Sequence, residues 1–134
     1  MGNIKQFVAG EDLSAAQYKF VFVDGTAEKV LLTGLDDDNV TVAGVLINAP
    51  ASGEIAFVQT DGIGKVTAGA TLEPYDELMS GTGPTAGTAV LATTGHVMLA
   101  RFEPELEGGA NPADAVSGDI ITVRIYDNKT RLLA

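Results

Sequence analysis

The chain has 134 residues, no cysteine and no tryptophan, and a formal charge of −10 from 18 acidic and 8 basic side chains. Its length fits one domain, and the missing cysteines exclude disulfides and thiolate metal sites. The acidic balance argues against binding naked nucleic acid through its phosphates or an anionic membrane surface.

No apolar run approaches the ~20 residues of a membrane-spanning helix. The opening residues lack the basic start, apolar run and cleavage site of a signal peptide. The chain begins Met-Gly, but Gln6 stands where a myristoylation signal has Ser or Thr. A domain of this size buries roughly two-thirds of its unfolded surface. With only 6% aromatic residues, Ala, Val, Gly and Thr carry much of the bulk. So thin a core hints at support from partners or an oligomer.

Residues 1–16 form a leader of mixed character, with Ile4, Phe7 and Val8 apolar and Gly10-Glu11-Asp12 polar. Two readings stand side by side. One is an edge strand or frayed terminus; the other is an arm that pairs with a neighbouring protein by adding a strand. Residues 17–134 then read as a single β-domain. Residues 18–23, YKFVFV, place Tyr18, Phe20 and Phe22 on one face of a strand. An aromatic row of this kind stacks nucleobases in single-strand binders, but only Lys19 and Lys29 are basic nearby, so a buried core face is the simpler expectation. Residues 29–33 return as the hairpin partner. The loop Asp36-Asp37-Asp38 lacks the spacing, glycine and late glutamate of a calcium-binding loop and reads as solvated charge.

The clearest pattern is residues 40–66, VTVAGVLINAPASGEIAFVQTDGIGKV. Strict alternation sets Val40, Val42, Gly44, Leu46 and Asn48 against Thr41, Ala43, Val45 and Ile47, both mostly apolar, so this strand is expected to be buried on both sides. Pro50 and Gly53 break it. Residues 54–59 put Ile55, Phe57 and Gln59 on one face; Asp61-Gly62 turns, and residues 63–67 follow as a short strand. Residues 71–72 make a short edge. Residues 73–77 form an acidic loop before Leu78-Met79-Ser80. The run 81–87 is glycine-rich without the Gly-Lys-Ser/Thr ending of a phosphate loop. Residues 88–92, 97–102 and 120–126 read as strands, and residues 130–133 as a short closing one. Residues 103–107 suit a short helical start, and 108–118 a linker. About ten short strands at close spacing, with little helix, predict an all-β sandwich or barrel-like fold.

The chemistry-bearing residues are sparse. His96 is the one histidine, and none of Ser14, Ser52, Ser80 and Ser117 lies in a Gly-x-Ser-x-Gly elbow. Carboxylate pairs for glycoside hydrolysis are available among 18 acids, but the aromatics that would form a sugar platform read as structural. No dinucleotide, phosphate-loop or metal motif is present, so no catalytic residue, cofactor or metal is expected.

From Gly44 onward the chain resembles the capsid decoration (cement) proteins of tailed bacteriophages. The resemblance is carried by Gly44-Val45-Leu46, Asn48-Ala49-Pro50 and Ser52-Gly53-Glu54-Ile55-Ala56-Phe57-Val58, then by Gly62, Val66 and Ala68-Gly69-Ala70. It continues through Leu78-Met79-Ser80, Gly87-Thr88-Ala89-Val90, Met98-Leu99-Ala100-Arg101 and Gly118-Asp119-Ile120-Ile121, roughly half the chain. Two departures are Tyr75-Asp76-Glu77, where such proteins often have a glycine-aspartate turn, and the long loop 108–117. The resemblance implies a non-enzymatic head-stabilising protein on the outer surface of the virion. It would bind as a homotrimer across neighbouring subunits of the major capsid protein, with an N-terminal arm contributing. On that reading Ile4, Phe7 and Val8 are the candidate capsid-binding residues. The rival classes are a carbohydrate-binding or adhesin-type β-module and a small acid-dependent hydrolase.

Overall fold

The computed structural model describes residues 3–24, 29–32, 42–81, 85–92, 98–104 and 114–126. Ten strands lie among them: β1 (Ile4–Ala9), β2 (Phe20–Asp24), β3 (Lys29–Leu31), β4 (Val42–Leu46), β5 (Ile55–Gln59), β6 (Gly62–Thr67), β7 (Glu77–Ser80), β8 (Ala89–Leu91), β9 (Ala100–Phe102) and β10 (Ile120–Ile125). The first five close into a barrel in the order β1-β3-β2-β4-β5, and the last five form a sheet in the order β6-β10-β9-β7-β8. The all-β expectation holds. His96, the Asp36–Asp38 loop, the linker residues 108–113 and the closing strand expected at 130–133 lie outside the described residues.

Two apolar layers hold these sheets. Inside the barrel lie Ala9, Leu13, Ala16, Val21, Val30, Leu46, Ala56 and Val58. A five-stranded barrel has a narrower interior than an eight-stranded one, which side chains just fill, so its lining is small. That is where the abundance of Ala and Val goes, and the interior is closed by size rather than thinly packed. The larger core lies between barrel and sheet. Phe20, Val42 and Val45 from the barrel wall meet Val66, Leu72, Leu78, Leu99, Phe102, Ile121, Val123 and Ile125. Each such side chain, fully buried, contributes roughly 1.5–3 kcal/mol. β2 therefore faces both layers, with Val21 inward and Phe20 toward the second sheet.

Strict alternation fails along β4. Against β2 the register runs Phe20↔Val45, Val21↔Gly44, then Phe22↔Val42, so β4 advances two residues for one. Such a bulge reverses the faces beyond it. Val42 and Val45 therefore share the main core, although parity alone separates them. The strand is buried on both sides, as its composition demands.

The N-terminal segment contributes a strand to the barrel. β1 pairs antiparallel with β5 from Ile4↔Gln59 to Val8↔Ile55, and parallel with β3 at Val8↔Lys29 and Ala9↔Val30. Asn3 extends the pairing, accepting from Thr60 N at 2.9 Å and donating to the Asp61 carboxylate through its backbone N (2.7 Å) and Nδ2 (3.0 Å). Beyond β1, Leu13 and Ala16 are buried in the barrel. Residues 4–16 thus supply the strand β1 and, through Ala9, Leu13 and Ala16, part of the barrel interior. β7 was not anticipated as a strand: its Leu78, Met79 and Ser80 are all buried, and a strand covered on both faces shows no alternation.

Barrel and sheet join at Gln59. Its side-chain amide donates to the carbonyls of Asp61 (2.9 Å) and Ile63 (2.8 Å), pinning the chain as it passes from β5 into β6. Gly44 admits this approach: a Cβ there would lie 2.0 Å from the Gln59 carbonyl oxygen. Gly62, with φ +82°, makes the turn between them.

Replacing Gly44 with Ala will push β4 from β5 and lower the unfolding free energy by about 3 kcal/mol. Gly53→Ala, where φ is +86° but space is open, will cost about 1 kcal/mol; paired urea titrations measure both. Deleting residues 1–9 removes a barrel strand, so the truncated chain is expected to lose its cooperative thermal transition in circular dichroism.

Candidate functional site

Pairing β1 with β5 builds one outward face from two strands. Residues two apart share a side, so Ile4, Gln6 and Val8 align with the outward row of β5. The register sets Val8 opposite Ile55 and Gln6 opposite Phe57. Ile4 and Ile55 are each 53% exposed, Val8 38% and Phe57 36%. Four large apolar side chains on one two-strand surface are an unusual exposure for a chain this acidic, and contiguous patches of this kind mark contact surfaces.

Of the three residues singled out from the sequence, Ile4 and Val8 share this face. Phe7 does not: it is half-buried and packs against the barrel interior. Ile55 and Phe57 belong to the surface and were missed. Their alternation with Ala56 and Val58 was visible, but alternation does not tell which of two apolar rows faces water.

The face is held rigid from beside it. Asn48 lies just beyond β4, and its Nδ2 donates to the Ile55 carbonyl at 3.0 Å while its Oδ1 accepts from Phe57 N at 3.0 Å. The amide thereby acts as one more strand residue and fixes the β5 backbone where its exposed side chains stand. The turn below is tied by Ala51 N donating to Glu54 Oε1 at 2.7 Å and Glu54 N to Ala51 O at 3.0 Å. Asn48, Ala49, Pro50, Gly53, Glu54 and Ile55 line a shallow open groove at its edge.

No strand addition is needed to use such a face. β5 is paired on both sides by β1 and β4, so the contact it offers is through side chains. Ser80, one of the candidate hydroxyls, is fully buried; its Oγ donates to the Gly81 carbonyl and accepts from Gly87 N, each at 2.9 Å. That is a structural role at the end of β7. Among the described residues no group of three His, Cys, Asp or Glu side chains is placed to hold a metal ion.

No protein-family model matches the chain, and no curated protein matches it. Among solved structures, the chain is similar to the crystal structure of the head fiber gp8.5 N base in bacteriophage phi29, with a TM-score of 0.61 over 96% of this chain and 98% of that one, at 16% sequence identity. The likeness is one of fold, and it spans barrel and second sheet together: the chain has the architecture of a bacteriophage head-fiber base.

Proposed function

We propose that this chain is a non-catalytic structural protein that decorates a bacteriophage head. It binds the outer surface across neighbouring subunits of the major capsid protein, as a homotrimer, and stabilises the shell. The observation that carries this reading is the shared fold with a phage head-fiber base over nearly the whole of both chains. The exposed apolar face supports it, because a protein that works by contact needs a rigid, dry surface rather than reactive groups. Repetition supplies the rest: many modest contacts on a lattice give strong retention without a single tight site.

Within this reading Ile4 and Val8 keep the contact role the sequence suggested, joined by Ile55 and Phe57. Phe7 supports the barrel beneath them. The N-terminal segment contributes as a built-in strand that presents side chains, not as a loose arm.

The test is co-sedimentation with expanded heads of the phage that carries the gene. Ile4→Ser and Ile55→Ser should melt within a few degrees of the parent, because each residue is already about half-exposed, yet bind heads about tenfold more weakly. Phe7→Ala should behave oppositely, losing about 1–2 kcal/mol of stability through its half-buried ring. Parent protein that stays in the supernatant at every concentration would remove the proposed function.

A further inference from the structure

The side-chain amides of this domain are almost all in use. Among the described residues they are Asn3, Gln6, Gln17, Asn48 and Gln59. Asn3 Nδ2 donates to the Asp61 carboxylate at 3.0 Å, and Gln17 Nε2 to the Ile47 carbonyl at 3.1 Å. Asn48 spans the Ile55 carbonyl and Phe57 N, and Gln59 holds two carbonyls of the passage from β5 to β6. Gln6 alone has no hydrogen-bond partner for its side chain among the described residues.

The place of that free amide gives it meaning. Gln6 stands between Ile4 and Val8 in the outward row of β1, directly opposite Phe57 on β5, and it is exposed. Neither outward row holds a charged residue; Lys29 lies beside Val8 only at one end. A polar group at the rim of an apolar surface keeps its water when the surface is covered. Gln6 is not at the rim: a partner that covers Ile4, Val8 and Phe57 covers Gln6 as well. An amide stripped of water and left unpaired opposes binding. The fold does not call for it either, since the side chain ties nothing together and a β-branched residue suits an exposed strand position better.

We infer that Gln6 orients this face, by pairing with a backbone peptide group of the shell subunit to which the proposed function assigns it. The inference rests on that reading. A side-chain amide donates and accepts from one planar group, and the N–H and C=O along a peptide backbone match both ends. The same pairing exists inside the domain, where Asn48 gives Nδ2 to Ile55 O and takes Phe57 N. A carboxylate or a guanidinium would satisfy only one end. Apolar neighbours hold a partner by area but let it slide; the amide sets the register, because a displaced complex would bury it unpaired.

The experiment measures head co-sedimentation of Gln6→Met and Gln6→Glu beside the parent and Ile55→Ser, with thermal melts and sedimentation velocity of the free chains. Both Gln6 variants should melt within a few degrees of the parent, because the side chain is exposed and ties nothing down. Methionine keeps the length and adds apolar surface, so a face that works by area alone would bind more tightly with it. A face oriented by the amide binds about tenfold more weakly, because the peptide group of the shell is then buried unpaired. Gln6→Glu, which loses the donor, should bind at least as weakly. Should Gln6→Met precipitate, Gln6→Val, a good strand former, replaces it under the same criterion. Gln6→Met binding as tightly as the parent or more so, while Ile55→Ser binds weakly, overturns the role of Gln6 and leaves the proposed function standing. Gln6→Glu equal to the parent beside a weak Gln6→Met overturns the peptide group in favour of a lone donor. Changes confined to self-association of the free chains overturn the shell partner in favour of a second copy of this chain. Parent protein that does not bind heads overturns this inference and the proposed function together.

Discussion

The fold depends on a close backbone crossing at the end of β5. Two sheets with different strand directions share one core only if the chain can leave the barrel and enter the second sheet within a few residues. Gln59 makes that possible by satisfying two carbonyls of the crossing with its own amide. Gln59 is 9% exposed, so its amide donors find these carbonyls rather than water, and leaving the buried amide unpaired would cost about 1–3 kcal/mol. Gly44 and Gly64 clear the space on either side: a Cβ would come within 2.0 Å of the Gln59 carbonyl oxygen at the first and within 2.5 Å of its side-chain oxygen at the second. The Gln59 crossing positions everything downstream, including the register of β6 against β10 and hence the face on which Arg124 stands.

The two exposed surfaces differ in how they are held. The β1–β5 face is apolar and backed by the small interior of a closed barrel, with Asn48 clamping its edge. The outer face of the second sheet is polar and held by a charge network in which Glu103 serves Arg101 and Arg124. With Glu77 beside Arg101, the acids there balance the two arginines.

Much of this was legible in the sequence, and the failures have particular causes. The strands at 42–46, 55–59, 62–67 and 120–125 follow from β-branched runs bounded by Pro50, Gly53 and Gly62, whose backbones turn as those residue types suggest. The faces of β4 were not legible, because a bulge leaves no mark in composition: Ala43 is as plausible on one side as on the other. The role of residues 4–9 was open because pairing over 50 residues of intervening chain has no local signature. Tyr75 is the instructive case. The sequence departs there from the glycine-aspartate turn of the proteins it resembles, and Tyr75 itself takes a left-handed φ of +70°, which nothing in its residue type announces.

β1 ties stability to function in a further way. Among the described residues it pairs with β5 along five residues and with β3 at two, so within them its first half is held from one side. Terminal strands with few supports open at free energies well below that of global unfolding. The same half carries Ile4, and its partner strand carries Phe57. Under the proposed function, a shell surface packed on this face would contact both strands at once and so stabilise the closed barrel in proportion to its occupancy. Binding would then remove the easiest route by which the domain opens. Under the same proposal the effect would be mutual on a lattice, the shell held by a domain that the shell itself helps keep folded.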